Sequence, residues 1–130
     1  MTGLDTNVLI RYILRDDPAQ SVKAAKLVER FTESDPGFIS VVAIVETAWV
    51  LENVYGFADD AVAAAIERIL QIDVLVVEHR LEVYLATAFV RQRRGAFADA
   101  LIGAIGTRAG CSRTLTFDRK ASRIPGFELL

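Results

Sequence analysis

Four carboxylates stand in this 130-residue sequence where strands should end or helices begin: Asp5, Glu46, Asp99 and Asp118. Asp5 lies in Leu4-Asp5-Thr6-Asn7-Val8-Leu9, Asp99 in Ala98-Asp99-Ala100-Leu101-Ile102, and Asp118 in Leu115-Thr116-Phe117-Asp118; Glu46 follows Ser40 by six residues. Each has an ordinary structural reading. Asp5 and Asp118 read as helix caps, Asp99 as a first-turn acid that complements a helix dipole, and Glu46 as a paired acid on an apolar face. Taken together they have a chemical reading. Carboxylates converging on one sheet edge repel one another, and Mg2+ or Mn2+ relieves that repulsion through oxygen ligands. A carboxylate cluster holding such an ion suits phosphoryl chemistry, because the ion activates water and neutralises charge during in-line displacement. No histidine is required: His79 reads as a surface or strand-end residue, and Cys111 as a small packing residue.

Those acids need elements to hold them. Gly3-Leu4-Asp5 reads as the end of a short buried strand, followed by a helix from Thr6 to Arg15. Asp17-Pro18 opens a helix to about Glu33, with Val22, Ala25, Leu27 and Val28 available to the core. Phe38-Ile39 is a short strand. Ser40 caps a helix, Val41–Tyr55, whose core positions read as Val41, Ile44, Val45, Ala48, Trp49 and Leu51. Positions 42, 45, 46 and 49 share one face of it. Asp59-Asp60 begin a helix to about Gln71, and Val74–Val77 reads as a fully buried strand. Arg80–Arg94 is a helix with Leu81, Tyr84, Leu85, Ala88 and Phe89 on one face, and Ala98–Ala109 is another, ended by Gly110. Thr114–Thr116 is a strand, Asp118–Ser122 a helical turn, and Phe127–Leu129 a final edge strand. Strands alternating with helices imply an α/β fold with a parallel sheet and helices on both faces. Ligands in such folds bind beyond the carboxyl ends of the strands.

The length suits one domain, residues 1–130. With 52% apolar and 25% charged residues, the chain is too hydrophobic and too nearly neutral for intrinsic disorder. No apolar run is long enough for a transmembrane helix, and the start lacks the pattern of a signal peptide. A lone cysteine and a lone histidine exclude an internal disulfide and a structural zinc site, and the expected compartment is a reducing cytoplasm. The net charge of −2 conceals an asymmetry. Residues 1–90 carry 14 acids and 7 bases, for −7; residues 91–130 carry 3 acids and 8 bases, for +5. The basic part either solvates helices or faces a polyanion.

The ordered set of acidic motifs resembles that of PIN-domain ribonucleases, and more narrowly of VapC-type toxins from bacterial toxin–antitoxin pairs. The resemblance runs from Gly3 to the region of Phe127. It implies a three-layer α/β/α sandwich around a central, mainly parallel sheet of four to five strands. It implies metal-dependent RNA cleavage that leaves a 5′-phosphate, with Asp5, Glu46, Asp99 and Asp118 as the acidic site. Asp5, Asp99 and Asp118 would hold Mg2+ or Mn2+, and Glu46 would complete the shell or take the proton from water. Thr6 and Asn7 match the rest of the opening motif, and Thr116 the small hydroxyl residue before the last acid. Thr116 either orients the site or is an ordinary strand residue, and Asn7 either bonds the acids or its own helix end. The family often carries another Asp three residues before the acid matching Asp99; here that position is Ala96. The resemblance further implies a homodimer and inhibition by a VapB-type antitoxin that places a basic side chain among the acids. Leu9, Ile10, Ile13, Leu14 and Trp49 are candidates for those interfaces or for the core. Arg91, Arg93, Arg94, Arg119 and Lys120 are candidate contacts to a single-stranded or looped RNA.

Other classes fit less well. A PIN nuclease outside a toxin–antitoxin pair and a nonenzymatic RNA-binding module are the nearest alternatives. A receiver-like signalling domain would need an acidic acceptor after the third strand, where Val77-Glu78-His79 offers no Asp. A haloacid-dehalogenase-type phosphotransferase would need a second Asp where Asn7 stands.

Overall fold

The computed structural model describes residues 1–92 and 94–130. Along them run β1 (Thr2–Gly3), α1 (Thr6–Leu14), α2 (Pro18–Arg30), β2 (Gly37–Ile39), α3 (Val41–Asn53) and α4 (Asp59–Leu70). There follow β3 (Leu75–Val77), α5 (Arg80–Arg91), α6 (Phe97–Arg108), β4 (Thr114–Thr116), a 3-10 turn (Ala121–Arg123) and β5 (Phe127–Leu129). None of these helices is long and apolar enough to cross a membrane.

All strand pairings are parallel, as α/β alternation requires. β2 lies between β1 and β3, with Gly37 opposite both Thr2 and Leu75, while β4 pairs with β5 from Thr114↔Phe127 to Thr116↔Leu129. The five strands therefore form two ladders, three-stranded and two-stranded, where one continuous sheet was expected. The short first strand accounts for the division. β1 has two residues, and the chain around it bonds toward β2, through Thr2 N–H to Pro36 O and Leu4 N–H to Phe38 O. With helices packed around these strands, the arrangement is the expected α/β/α sandwich of a parallel sheet and six helices.

The main core gathers Leu9, Ile39, Ile44, Leu51, Ile66 and Leu101, while Ile124 and Phe127 join Ala121 in a smaller cluster beside β5. Several helix faces differ from the sequence reading. In α5 the buried side holds Val83, Ala86, Thr87 and Val90 together with Glu82; Leu81, Tyr84 and Leu85 are exposed. In α3 it is Ala43, Ile44, Thr47, Ala48 and Leu51 that face inward, leaving Val42, Val45 and Trp49 exposed. In α2 the inward residues are Ser21, Ala24 and Val28, and Val22 is exposed. Val76 in β3 is likewise exposed, and that strand buries only Leu75 and Val77. Leu9 and Ile10 are core residues, with Ile13 and Leu14 packed against them.

The ends of the elements fix the geometry of the site. α3 begins with two supporting bonds: Ala43 N–H donates to Ser40 Oγ at 3.1 Å, and Val41 N–H to Glu78 Oε1 at 2.9 Å. Glu78 follows β3, so the strand end anchors the helix that carries Glu46. Two helices end three residues before their expected limits, and the others within two residues of theirs. α2 stops at Arg30, where buried Phe31 turns extended, and α5 at Arg91.

Candidate active site

Asp5 is the N-cap residue of α1, yet its side chain makes no capping bond. The cap reading therefore accounts for its position but leaves its carboxylate uncommitted to the helix end. One residue later Thr6 is buried, with 6% of its surface exposed, and its Oγ1 donates to Glu46 Oε2 at 2.9 Å. This bond ties the first turn of α1 to the middle of α3, two helices that pack together. Glu46 itself is exposed, on the rim of an apolar groove. The expected apolar face is present, but it is turned to solvent and costs Glu46 little desolvation.

Asp99 occupies the first turn of α6, half-buried. Partial burial and the negative charge of Asp118 both hold its carboxyl above the ordinary aspartate range. Asp118 follows β4 in a tight turn. Its own N–H donates to Thr116 Oγ1 at 3.0 Å, and its Oδ1 accepts from Lys120 N–H at 2.8 Å. Thr116 thus shapes the turn that presents the acid. Asn7 is exposed and lines a small groove with Arg11, Gln20 and Lys23 of the α1–α2 pair.

The acids have the chemistry of a site for a hard divalent cation. All donors are oxygens, and Asp99 and Asp118 form a like-charge pair whose repulsion a cation would relieve. Among the described residues, no three acidic, histidine or cysteine side chains close into a ready-made cage. Asp99 lies close enough to Asp118 to feel its charge, while Asp5 stands at the cap of α1 and Glu46 is carried by α3.

The basic residues divide by partner. Arg91 donates from Nε and Nη2 to both carboxylate oxygens of Glu67 on α4, at 2.9 and 2.8 Å, so its guanidinium is taken up by the α4–α5 contact. Arg113 faces Glu128 at 3.6 Å, and Arg108 faces the buried Glu82 at 3.8 Å. Arg94 packs over the ring of Phe89, 5.1 Å from its centroid. Arg94 and Lys120 line a cleft together with Arg123, a residue that the sequence marks only as one more positive charge. Arg119 is exposed. Arg93, also expected to touch RNA, lies outside the described residues. His79 caps α5 with a left-handed backbone, φ 53°, and Cys111 is exposed where a packing role was expected.

A family model described as PIN domain matches residues 4–126, a span that contains all four acids. No curated protein matches the chain.

Proposed function

The chain belongs to the PIN-domain family, and we propose that within it this protein is an endoribonuclease, the toxin of a VapC-type toxin–antitoxin pair. PIN domains are generally metal-dependent nucleases and typically use divalent ions; the choice of RNA, of Mg2+ or Mn2+, and of the toxin role is the proposal. The observation that supports it best is Asp99 held above its ordinary pKa range by burial and by Asp118. Such a pair carries a repulsion that a bound cation would relieve.

In this reading Asp5, Asp99 and Asp118 would hold the ion. A divalent cation bound there supplies a more acidic water and offsets the charge on the phosphate. The chain's own residues do the rest. Glu46, held from behind by Thr6, takes the proton of the attacking water. The new bond joins that water oxygen to phosphorus, the P–O3′ bond breaks, the leaving 3′-oxygen takes a proton from solvent, and the products are a 5′-phosphate and a 3′-hydroxyl. Thr116 keeps the turn at Asp118 in shape, so the carboxylate is pre-positioned before substrate arrives.

The toxin reading adds a homodimer, a cytoplasmic setting, and an antitoxin whose basic side chain competes with the metal for the acids. It treats residues 1–130 as one PIN domain. Incubating the purified chain with end-labelled single-stranded RNA, in Mg2+ or Mn2+ and in chelator, tests the activity. Internal cleavage with 5′-phosphate ends in metal alone supports it; intact RNA in both metals would overturn it.

A further inference from the structure

The two strand ladders leave two free edges that match. In β1, Thr2 N–H donates to Pro36 O and Leu4 N–H to Phe38 O, so the alternation of a parallel strand turns the N–H and C=O of Gly3 away from β2. In β4, Thr114 N–H donates to Gly126 O and Thr116 O accepts from Leu130 N–H, which turns the N–H and C=O of Leu115 away from β5. Among the described residues no backbone hydrogen bond joins β1 to β4 or β5. Gly3 is exposed, and Leu115 keeps 46% of its surface in solvent. A free edge of this kind is a template for another strand.

The two edges belong to one end of the fold. Asp118, after β4, bears on Asp99 in the first turn of α6. Ala98, beside Asp99, lines one groove with Glu46 of α3, and Glu46 accepts from Thr6, just after β1. These links lead from β4 to β1 and not to β3, whose next residue, Glu78, is bonded to Val41 N–H. The β4–β5 ladder is also a unit of its own. With the 3-10 turn it shares the small core of Ala121, Ile124 and Phe127, apart from the main core. Its seat on α6 falls where that helix has no side chain: a Cβ at Gly103 would stand 2.6 Å from Phe127 Cε2, and one at Gly106 3.5 Å from Thr114 Oγ1. The chain enters the unit through Gly110, left-handed at φ 99°. A unit seated on glycines and entered through a glycine is built to shift as one body, by hinge and shear.

We infer that the β4–β5 unit closes onto β1, pairing Leu115 with Gly3 in one five-stranded sheet, and that a divalent cation at the proposed acids drives this closure. Pairing satisfies both edges and covers Leu115. It also carries Asp118 toward Asp5, whose carboxylate makes no capping bond. Asp5, Asp99 and Asp118 then share one place, and their repulsion opposes closure until a cation offsets it. Closure and cation binding are therefore linked, each favouring the other. The strand edges carry the closure, and its coupling to a cation rests on the nuclease reading.

Hydrogen exchange of the full chain, resolved by residue and measured without RNA in chelator and in Mg2+ or Mn2+, tests this. The N–H groups of Gly3 and Leu115 should slow by at least about tenfold when the cation is added, while those of Thr2 and Leu4, already bonded on the β2 side, change far less. Asp5→Asn removes one of the three charges and should slow Gly3 and Leu115 in chelator. Exchange at Gly3 and Leu115 that ignores both cations, whether fast or already slow in chelator, would overturn the inference. So would protection confined to a dimer in sedimentation, since β4 of one copy would then pair with β1 of another. Cleavage of RNA separates the two readings. Metal-dependent cleavage with unchanged exchange removes the closure and keeps the nuclease; cation-linked slowing without cleavage keeps the closure and removes the nuclease.

Discussion

The Thr6 hydroxyl reaches across from the first turn of α1 to the Glu46 carboxylate in the middle of α3, at 2.9 Å. Thr6 is buried and Glu46 is exposed, so the bond holds a solvent-facing acid from its protein side. A carboxylate that must accept a proton at a fixed point gains from such a tether, because one rotamer is favoured before substrate binds. Thr6 is thus a positioning residue.

Thr6→Val keeps the shape and removes the donor. Exposed Glu46 regains water, so stability should fall by no more than about 1 kcal/mol. Cleavage should fall by about ten- to a hundredfold, in kcat rather than KM, as for other residues that orient a site carboxylate. Thr6→Ser should restore most of the rate. Steady-state kinetics on the three proteins, with their thermal midpoints, check this.

Asp99 provides a pH prediction with a definite sign. Its carboxyl sits above the ordinary range because it is partly buried and faces Asp118. A carboxylate with a raised folded-state pKa stabilises the fold relative to neutral pH only while it is protonated. That contribution is complete below the ordinary aspartate pKa and is lost as pH rises through the raised value. Asp99→Asn should therefore melt above the wild type at neutral pH, with the difference vanishing in acid. Asp118→Asn should lower the pKa of Asp99, which side-chain carboxyl NMR titration measures directly. Mg2+ should raise the wild-type midpoint at neutral pH and leave that of Asp99→Asn nearly unchanged.

The start of α3 should be sensitive because it positions Glu46. Ser40→Ala removes the bond to Ala43 N–H and should cost about 1 kcal/mol, read as a shift in the denaturant midpoint. Glu78→Gln keeps an acceptor for Val41 N–H and should cost less than Glu78→Ala.

In β2, Gly37 leaves no room for a side chain. A Cβ there would stand 2.7 Å from Phe31 Cε2 and 2.8 Å from Leu75 Cδ2, both on well-packed residues. Gly37→Ala should destabilise by about 1–3 kcal/mol despite the gain expected from restricting the unfolded chain. Urea unfolding would show it.

Much of the frame was legible from the sequence. The limits of β4 and β5 follow from Thr114–Thr116 and Phe127–Leu129, and each acid falls at the start of a helix or the end of a strand where the pattern puts it, Glu46 apart. What periodicity could not decide was which side of an apolar helix faces in. α3 and α5 carry apolar residues around most of their circumference, and the buried sides mix small and large groups, Ala43, Ile44, Ala48 and Leu51 in α3 and Val83, Ala86 and Val90 in α5. Thr47, Thr87 and Glu82 are buried in the same helices, against every composition rule for core positions. Trp49 was consequently assigned to a core or an interface, and its exposure to solvent emerges only in three dimensions. Arg91 and Arg94 look alike in sequence; Glu67, distant along the chain, is what separates them.

The most direct test of the central claim compares cleavage of single-stranded RNA by the wild type and by Asp99→Asn, across a titration of Mg2+ or Mn2+. The account predicts metal-dependent cleavage by the wild type that disappears in chelator and falls at least about a hundredfold in Asp99→Asn, while that variant stays folded. Equal cleavage by both proteins, or cleavage by the wild type that persists in chelator, would contradict it.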